Sequence, residues 1–251
     1  MPQSFSITDI GLRREMNQDY IYASDLPLGS LPCLYLVADG MGGHRAGDLA
    51  SKLTVETVVN QVTSTVGLEP EELLREAFEM ANNGILQTAA RHREYYGMGT
   101  TLVGCTICGD DLLVANVGDS RLYNYKNGFR QITVDHSLVE EMVRAGTLDR
   151  KYARFHPERN VITRAIGAEQ HMKVDFFRLP LSECGLILMC SDGLTSMIDD
   201  DEIEGVLAGN TSLEEKAAAL IARANEAGGK DNISVILIDT SRDADAAGKQ
   251  Y

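Results

Sequence analysis

The stretch that sets the fold of this chain is LYLVADGMGGH, at residues 34–44. Its first five residues are apolar and predict a buried strand. Asp39 and Gly40 follow where that strand leaves the core. A carboxylate beside an unshielded backbone carbonyl suits a hard divalent cation such as Mg²⁺ or Mn²⁺, although Asp-Gly is also a common turn signal. A phosphate-binding P-loop would need a Lys-Ser/Thr ending, which this stretch does not have.

The same arrangement recurs at three more predicted strand ends. Asp119 and Asp192 each follow an apolar run, and Asp231 directly precedes one. Each has a glycine within three residues, and a sheet brings strand ends together. If these acids converge with Asp39, their mutual repulsion calls for bound cations, and a polynuclear metal site results. If they scatter, they are four ordinary turns.

Apolar alternation and turn signals predict a chain of strands interrupted by long helices. The predicted strands cover residues 4–10, 33–38, 100–108, 112–117, 121–126, 130–134, 173–178, 185–190 and 234–239. The predicted helices cover 47–66 and 71–93, and a third begins at Ser212 with a capping box to Glu215. Short turns between strands imply antiparallel pairing, and helices must cover sheet faces. The predicted class is therefore α+β, with two antiparallel sheets packed together and helices outside.

Length and composition bound the kind of protein. The 251 residues contain no linker-like segment, so we expect one domain over 1–240 and a polar C-terminal tail over 241–251. The formal charge of −14 argues against a nucleic-acid or anionic-membrane partner. The sequence shows no signal peptide and no apolar run of membrane-spanning length, which predicts a cytoplasmic protein. Cys105 and Cys108 have a redox or zinc spacing, but no second pair completes a site, so core packing is the preferred interpretation.

Eight short motifs occur in order between about residues 7 and 238. They are REMNQD at 14–19, DGMGGH at 39–44, GTT at 99–101, ANVGDSR at 115–121, DHS at 135–137, ITRAIG at 162–167, SDG at 191–193 and KDN at 230–232. Together they resemble the metal-dependent protein phosphatases of type 2C, the PPM family, in their short bacterial form. The resemblance implies a four-layer αββα sandwich with a flap over about residues 145–164.

The resemblance also implies a reaction. Such an enzyme hydrolyses phosphoserine and phosphothreonine in proteins by attack of a hydroxide bridging two Mg²⁺ or Mn²⁺ ions, with no covalent enzyme intermediate. No activated nucleophile is then needed. Asp135, His136 and Ser137 cannot form a catalytic triad, because consecutive residues cannot adopt the relay geometry. A loop and helix start capped by Asp135 or Ser137 is the better interpretation.

Matching the motifs residue by residue gives expected metal ligands. By resemblance, Asp39 bridges the two core ions, and the carbonyl of Gly40 binds one of them. Asp192 and Asp231 complete the other core ion. Asp119 matches the acid that, together with Asp192, holds a third ion in bacterial members.

The resemblance extends to residues around the metals. Asp19 corresponds to an acid that orients metal-bound waters, and Arg14 corresponds to the phosphate-binding arginine, whose forked guanidinium suits phosphate oxygens. Many eukaryotic members carry a histidine, the proposed general acid, where this chain has Met41. His44 is the available substitute, with a surface histidine or a metal-bound proton donor as the alternatives.

The predicted flap is locally basic in an acidic protein. We expect Arg150, Lys151, Arg154 and Arg159 to receive phosphorylated protein loops, with a solvated surface loop as the alternative. The expected partners are phosphoproteins, substrates of a Ser/Thr kinase, met by a monomeric enzyme. Two other readings stay open: a non-catalytic scaffold of the same fold, and a phosphatase for a phosphorylated anti-sigma-factor antagonist, a branch that usually carries sensor domains.

Overall fold

The computed structural model describes residues 2–42 and 46–240, so His44 and the predicted tail at 241–251 lie outside it. Its strands are β1 (Gln3–Asp9), β2 (Asp19–Ser24), β3 (Leu34–Met41), β4 (Gly99–Thr100), β5 (Leu102–Cys108), β6 (Asp111–Val117), β7 (Arg121–Tyr125), β8 (Phe129–Gln131), β9 (Asp175–Pro180), β10 (Leu186–Cys190) and β11 (Ile233–Asp239). Its α-helices are α1 (Ala46–Ser64), α2 (Pro70–Arg91), α3 (Leu138–Arg144), α4 (Arg150–Ala153), α5 (Asp192–Thr195), α6 (Asp200–Leu207) and α7 (Leu213–Glu226).

The strands form two antiparallel sheets. One sheet has the order β1-β11-β10-β7-β8, and the other has the order β2-β3-β5-β6-β9, with β4 paired beside β3. Within the described residues, no helix combines the length and apolar character needed to cross a membrane.

Three apolar cores separate four layers. Alternation along β3 shows why, because neighbouring side chains on a strand point to opposite faces. Leu34 and Leu36 join a core shared with α1 and α2, whereas Tyr35 and Val37 join the core between the two sheets. A third core lies between the other sheet and the helices α6 and α7. The predicted αββα sandwich is confirmed.

The predicted helices are confirmed as α1, α2 and α7. The capping box at the start of α7 is also present: the Ser212 side chain accepts from the Glu215 N–H, and the Glu215 carboxylate accepts from the Ser212 N–H. The predicted strand at 130–134 ends at Gln131, because the Leu122 N–H that would continue the ladder donates instead to Thr133 Oγ1 (3.0 Å). The predicted strand at 173–178 lies two residues later, at Asp175–Pro180.

Strand β2 and helix α6 are among the elements absent from the sequence prediction. Strand β2 was missed because its apolar alternation covers only about three residues. Helix α6 was missed although Asp199 and Glu202 form a capping box at its start. Of the two, β2 matters more, since it carries Asp19 into the site.

Candidate metal centre

Asp39 lies near the end of β3, directly opposite Asp19 in the register of β2 and β3. Its backbone is held by the threonine pair of the GTT motif. The Asp39 N–H donates to Thr101 Oγ1 (3.0 Å), and the Asp39 carbonyl accepts from Thr100 Oγ1 (2.8 Å) and from the Thr101 N–H (2.9 Å). The backbone hydrogen-bonding groups are thus engaged, and the carboxylate alone is left for the cleft.

Asp192 and Asp231 enter from the other sheet. Asp192 opens α5 at the end of β10, and Asp231 precedes β11. Contact between their two turns is close, because a Cβ atom on Gly193 would overlap the carbonyl oxygen of Asn232. After burial and repulsion from Asp231, the neighbouring carboxyl group of Asp39 also contributes to the shift in the pKa of Asp192. Acids from two different sheets therefore meet at one end of the sandwich.

Asn232 ties a loop to this centre. Its side-chain amide donates to the carbonyl oxygens of Ile10 (2.9 Å) and Met16 (3.0 Å), and its Oδ1 accepts from the Gln18 N–H (2.8 Å). The loop so held carries Arg14, whose Nη2 lies 2.7 Å from Asp231 Oδ2. That hydrogen bond raises the pKa of Arg14. A guanidinium group is thus held at the rim of the acidic cluster.

The acids raise one another's pKa values. Burial raises the pKa of Asp39 well above its usual value, and repulsion from Asp19, Asp192, Asp119 and Asp231 adds to the shift. Burial, followed by repulsion from Asp192, raises the pKa of Asp119 well above normal. Burial, followed by repulsion from Asp231, also raises the pKa of Asp192. The other four predicted acids therefore all lie within electrostatic reach of Asp39, as convergence of the strand ends requires.

The cluster contains carboxylate oxygens with no partner. Asp19 Oδ1 and Asp192 Oδ1 are both buried and accept no hydrogen bond. Orphaned, repelling carboxylate oxygens fit a divalent cation, which removes both penalties. In the described part of the chain, no three acids close around one point as a finished ligand set. Mg²⁺ and Mn²⁺ complete their shells with waters and backbone carbonyls, so this donor set still fits them.

Three further residues singled out in the sequence, Gly40, Ser137 and His136, have different surroundings in the structure. Gly40 lies so close to Gly47 that a Cβ atom would overlap the Gly47 carbonyl oxygen. Ser137, not a triad serine, caps α3 by accepting from the Glu140 N–H (3.3 Å). His136, which the sequence left in a loop, accepts the Gly118 N–H at Nδ1 (3.0 Å), next to Asp119. Burial lowers the pKa of His136. That His136 supports the loop of Asp119 is evident only from its spatial pairing with Gly118.

Three of the four predicted basic residues of the flap are already paired. Arg150 Nη2 lies 2.8 Å from Glu140 Oε1, and Lys151 Nζ lies 3.1 Å from Asp149 Oδ2. Arg154 Nη2 donates to the carbonyl oxygen of Met197 (2.8 Å), just beyond α5. The flap is thereby fastened near the helix that begins with Asp192.

An αββα sandwich with a cluster of aspartates at one end of both sheets is the arrangement of the metal-dependent phosphatases. Residues 13–237 match the family model described as Protein phosphatase 2C. The chain belongs to this family.

Known relatives agree with this assignment. The chain is 42% identical over 211 residues to the serine/threonine phosphatase stp of Listeria welshimeri, covering 82% of this chain and 84% of that protein. The crystal structure of the serine/threonine phosphatase Stp1 from Staphylococcus aureus matches with a TM-score of 0.89 and 32% identity, over 95% of each chain. The catalytic domain of the phosphatase PstP, solved in complex with two manganese ions, matches with a TM-score of 0.81 and 31% identity, over 95% of this chain and 97% of that one. The chain is thus a metal-dependent phosphatase of the type 2C family.

Proposed function

We propose that this protein hydrolyses phosphoserine and phosphothreonine in other proteins, as the names of its relatives say of them. The observation that carries the proposal is the meeting of Asp39, Asp192 and Asp231 from two sheets, with a buried oxygen of Asp192 unpartnered. When bound, two Mn²⁺ or Mg²⁺ ions would bind the phosphoryl oxygens and lower the pKa of a shared water enough for it to attack phosphorus directly. No side-chain nucleophile is required.

The residues divide the work by position. Asp39 would hold both core ions, the Gly40 carbonyl would serve one of them, and Asp192 and Asp231 would serve the other. Asp119 stands beside Asp192 as the candidate for a third ion, because repulsion from Asp192 adds to the shift in its pKa. Carboxylate ligands suit these hard cations better than any other side chain.

Arg14 is the proposed phosphate anchor. Its Nη2 is bonded to Asp231 Oδ2, and the fields of Asp39 and Asp192 reach it. Cations on these acids would take up part of their charge and leave the guanidinium fork available to a phosphoryl group. His44 remains the candidate proton donor to the leaving alkoxide.

Phosphoproteins made by a Ser/Thr kinase are the proposed substrates, met by a monomeric enzyme. The cytoplasm is the proposed compartment, in keeping with unbridged thiols such as Cys105 and Cys108. The flap, with Arg150 and Lys151 on its exposed helix, is the proposed contact surface for the substrate chain.

The test compares the wild-type protein and Asp39→Asn on a phosphothreonine peptide, with EDTA and with Mn²⁺ added back. We expect hydrolysis only with Mn²⁺ and essentially none from the variant. Lys52→Glu, at an exposed position of α1, is the charge-changing control and should behave as wild type. Equal rates in EDTA and Mn²⁺, or an active Asp39→Asn protein, would reject the metal mechanism.

A further inference from the structure

Asp19 is bound in an asymmetric way. Its carboxylate is buried, with the residue only 5% exposed. Its Oδ2 accepts from both Ser191 Oγ and Ser234 Oγ, each at 2.7 Å, while Oδ1 has no partner. Both donors belong to the opposite sheet, at the end of β10 and on β11. One oxygen of Asp19 is thus fully engaged and the other is left over.

The neighbours of Ser191 determine the direction of its hydrogen bond to Asp19. Ser191 Oγ accepts the N–H of Ser234 at 3.0 Å. Its own proton is therefore free to point at Asp19 Oδ2, where an ionised carboxylate can only accept. The Ser191 N–H in turn donates to the Ser234 carbonyl (3.2 Å), so the two serines brace each other.

The second donor ends a longer chain. The Ser234 hydroxyl donates its proton to Asp19. In the 2.8 Å contact between Thr8 Oγ1 and Ser234 Oγ, Thr8 must therefore be the donor. Thr8 Oγ1 accepts from Asn17 Nδ2 (2.8 Å), and Asn17 Oδ1 accepts from the Asp19 N–H (3.1 Å). The hydrogen bonds close into a ring through Asp19, Asn17, Thr8 and Ser234.

We propose that Thr8 and Ser234, with Ser191, are positioning residues that fix Asp19 Oδ2, so that Oδ1 alone is presented to the water of the metal centre. The inference rests on the proposed function, in which Asp19 orients that water. It deepens that function by naming what holds the acid. Fixing one oxygen with two donors sets the rotation of the carboxyl group, which a lone hydrogen bond would leave free.

The test uses Ser234→Ala, Thr8→Val and Thr8→Ser, with Mn²⁺ binding measured by calorimetry and by the Mn²⁺-induced rise in Tm. Removing an outer partner of a metal site commonly costs about 10-fold or more in metal affinity, so we expect about 10-fold weaker binding for Ser234→Ala. Thr8→Val should weaken binding less, and Thr8→Ser, which keeps the hydroxyl, should bind as the wild type does. Thr8 is exposed, so its variants test the proposal even if Ser234→Ala fails to fold.

Thr106→Val is the matched control, because it removes another buried hydroxyl, which Thr106 on β5 donates to the carbonyl oxygen of Cys33. It should lower stability without changing Mn²⁺ affinity. Unchanged Mn²⁺ binding in both Ser234→Ala and Thr8→Val, or an equal loss in Thr8→Ser or Thr106→Val, would overturn this proposal while leaving the phosphatase function intact. A wild-type protein that binds no Mn²⁺ would overturn both.

Discussion

Gly193 packs directly against the backbone carbonyl of Asn232, leaving no room for a side chain between the two turns. This contact joins the turn of Asp192 to the turn of Asp231. It also lies one residue from both proposed ligands. The approach of two carboxylates that repel each other thus depends on the smallest residue at position 193.

Gly193→Ala should separate these turns. We expect it to weaken Mn²⁺ binding and to lower the free energy of unfolding by about 1–3 kcal/mol, the usual cost of overpacking. Gly205→Ala is the control, since Gly205 lies in α6 with open space around its Cα. It should raise stability by about 0.5–1 kcal/mol and leave Mn²⁺ affinity unchanged. Calorimetry and urea unfolding measure both quantities, and wild-type Mn²⁺ affinity in Gly193→Ala would contradict the proposed geometry.

The metal-free protein should lose stability as the pH rises. Burial raises the pKa of Asp19 from 3.8 to about 7, so the folded state keeps a proton that the unfolded chain has released. The contribution of Asp19 to the free energy of unfolding is fully present below about pH 4 and is lost as the pH rises through about 7. The contribution of His136 to stability has the opposite sign: because burial lowers the pKa of His136 from its ordinary value of 6.5, its contribution rises with pH up to about that value.

Comparison with Asp19→Asn isolates the contribution of Asp19. Urea unfolding in EDTA from pH 5 to pH 8 should show a wild-type stability that falls, relative to the variant, as the pH rises. Mn²⁺ should stabilise the wild type most at the upper end of this range, where the carboxylates are ionised. Parallel pH profiles for the two proteins would rule out a raised pKa at Asp19.

Asp119→Asn should separate the core ions from the third. Asp119 feels repulsion chiefly from Asp192 among the acids, while Asp39 is surrounded by four of them. We expect the variant to retain tight core Mn²⁺ binding, to lose one weaker site in calorimetry, and to lose most of its turnover. Full turnover with one fewer site would show that the third ion has no role in catalysis.

Charge reversal in the flap should discriminate between substrates. Arg150 and Lys151 are 65% exposed and lie on the flap helix α4. The double variant to Glu should slow dephosphorylation of a phosphoprotein more than hydrolysis of p-nitrophenyl phosphate, and the difference should shrink with added salt. Lys52→Glu, on α1, serves as the surface control. Equal losses on both substrates would remove the proposed role of the flap.

The proposed ligand acids could be singled out from the sequence because each lies where an apolar strand meets a glycine. Asp39, Asp192 and Asp231 carry that local signal, and the antiparallel sheets then bring the strand ends together. The layers were predictable for a related reason, since apolar alternation on strands and helical stripes are local patterns as well.

The support around the acids could not be predicted, because it depends on contacts between distant strands. Thr8 and Ser234 lie 226 residues apart, and each alone is an ordinary strand residue. Asp19 gained its partners only through β2, whose apolar alternation is too short to be recognised. His136 gave no sign of its bond to the Gly118 N–H, since that pairing exists only once the loop has folded.

Strand β3 is confined on both faces, with Leu34 and Leu36 against the helices and Tyr35 and Val37 against the other sheet. The backbone leading to Asp39 therefore cannot yield to either side. Stabilising substitutions should therefore be sought on the solvent-facing surfaces of α2 and α7, and residues 34–38 should be left unchanged. Natural substitutions that change side-chain volume in this strand should destabilise the protein more than equal changes on those surfaces.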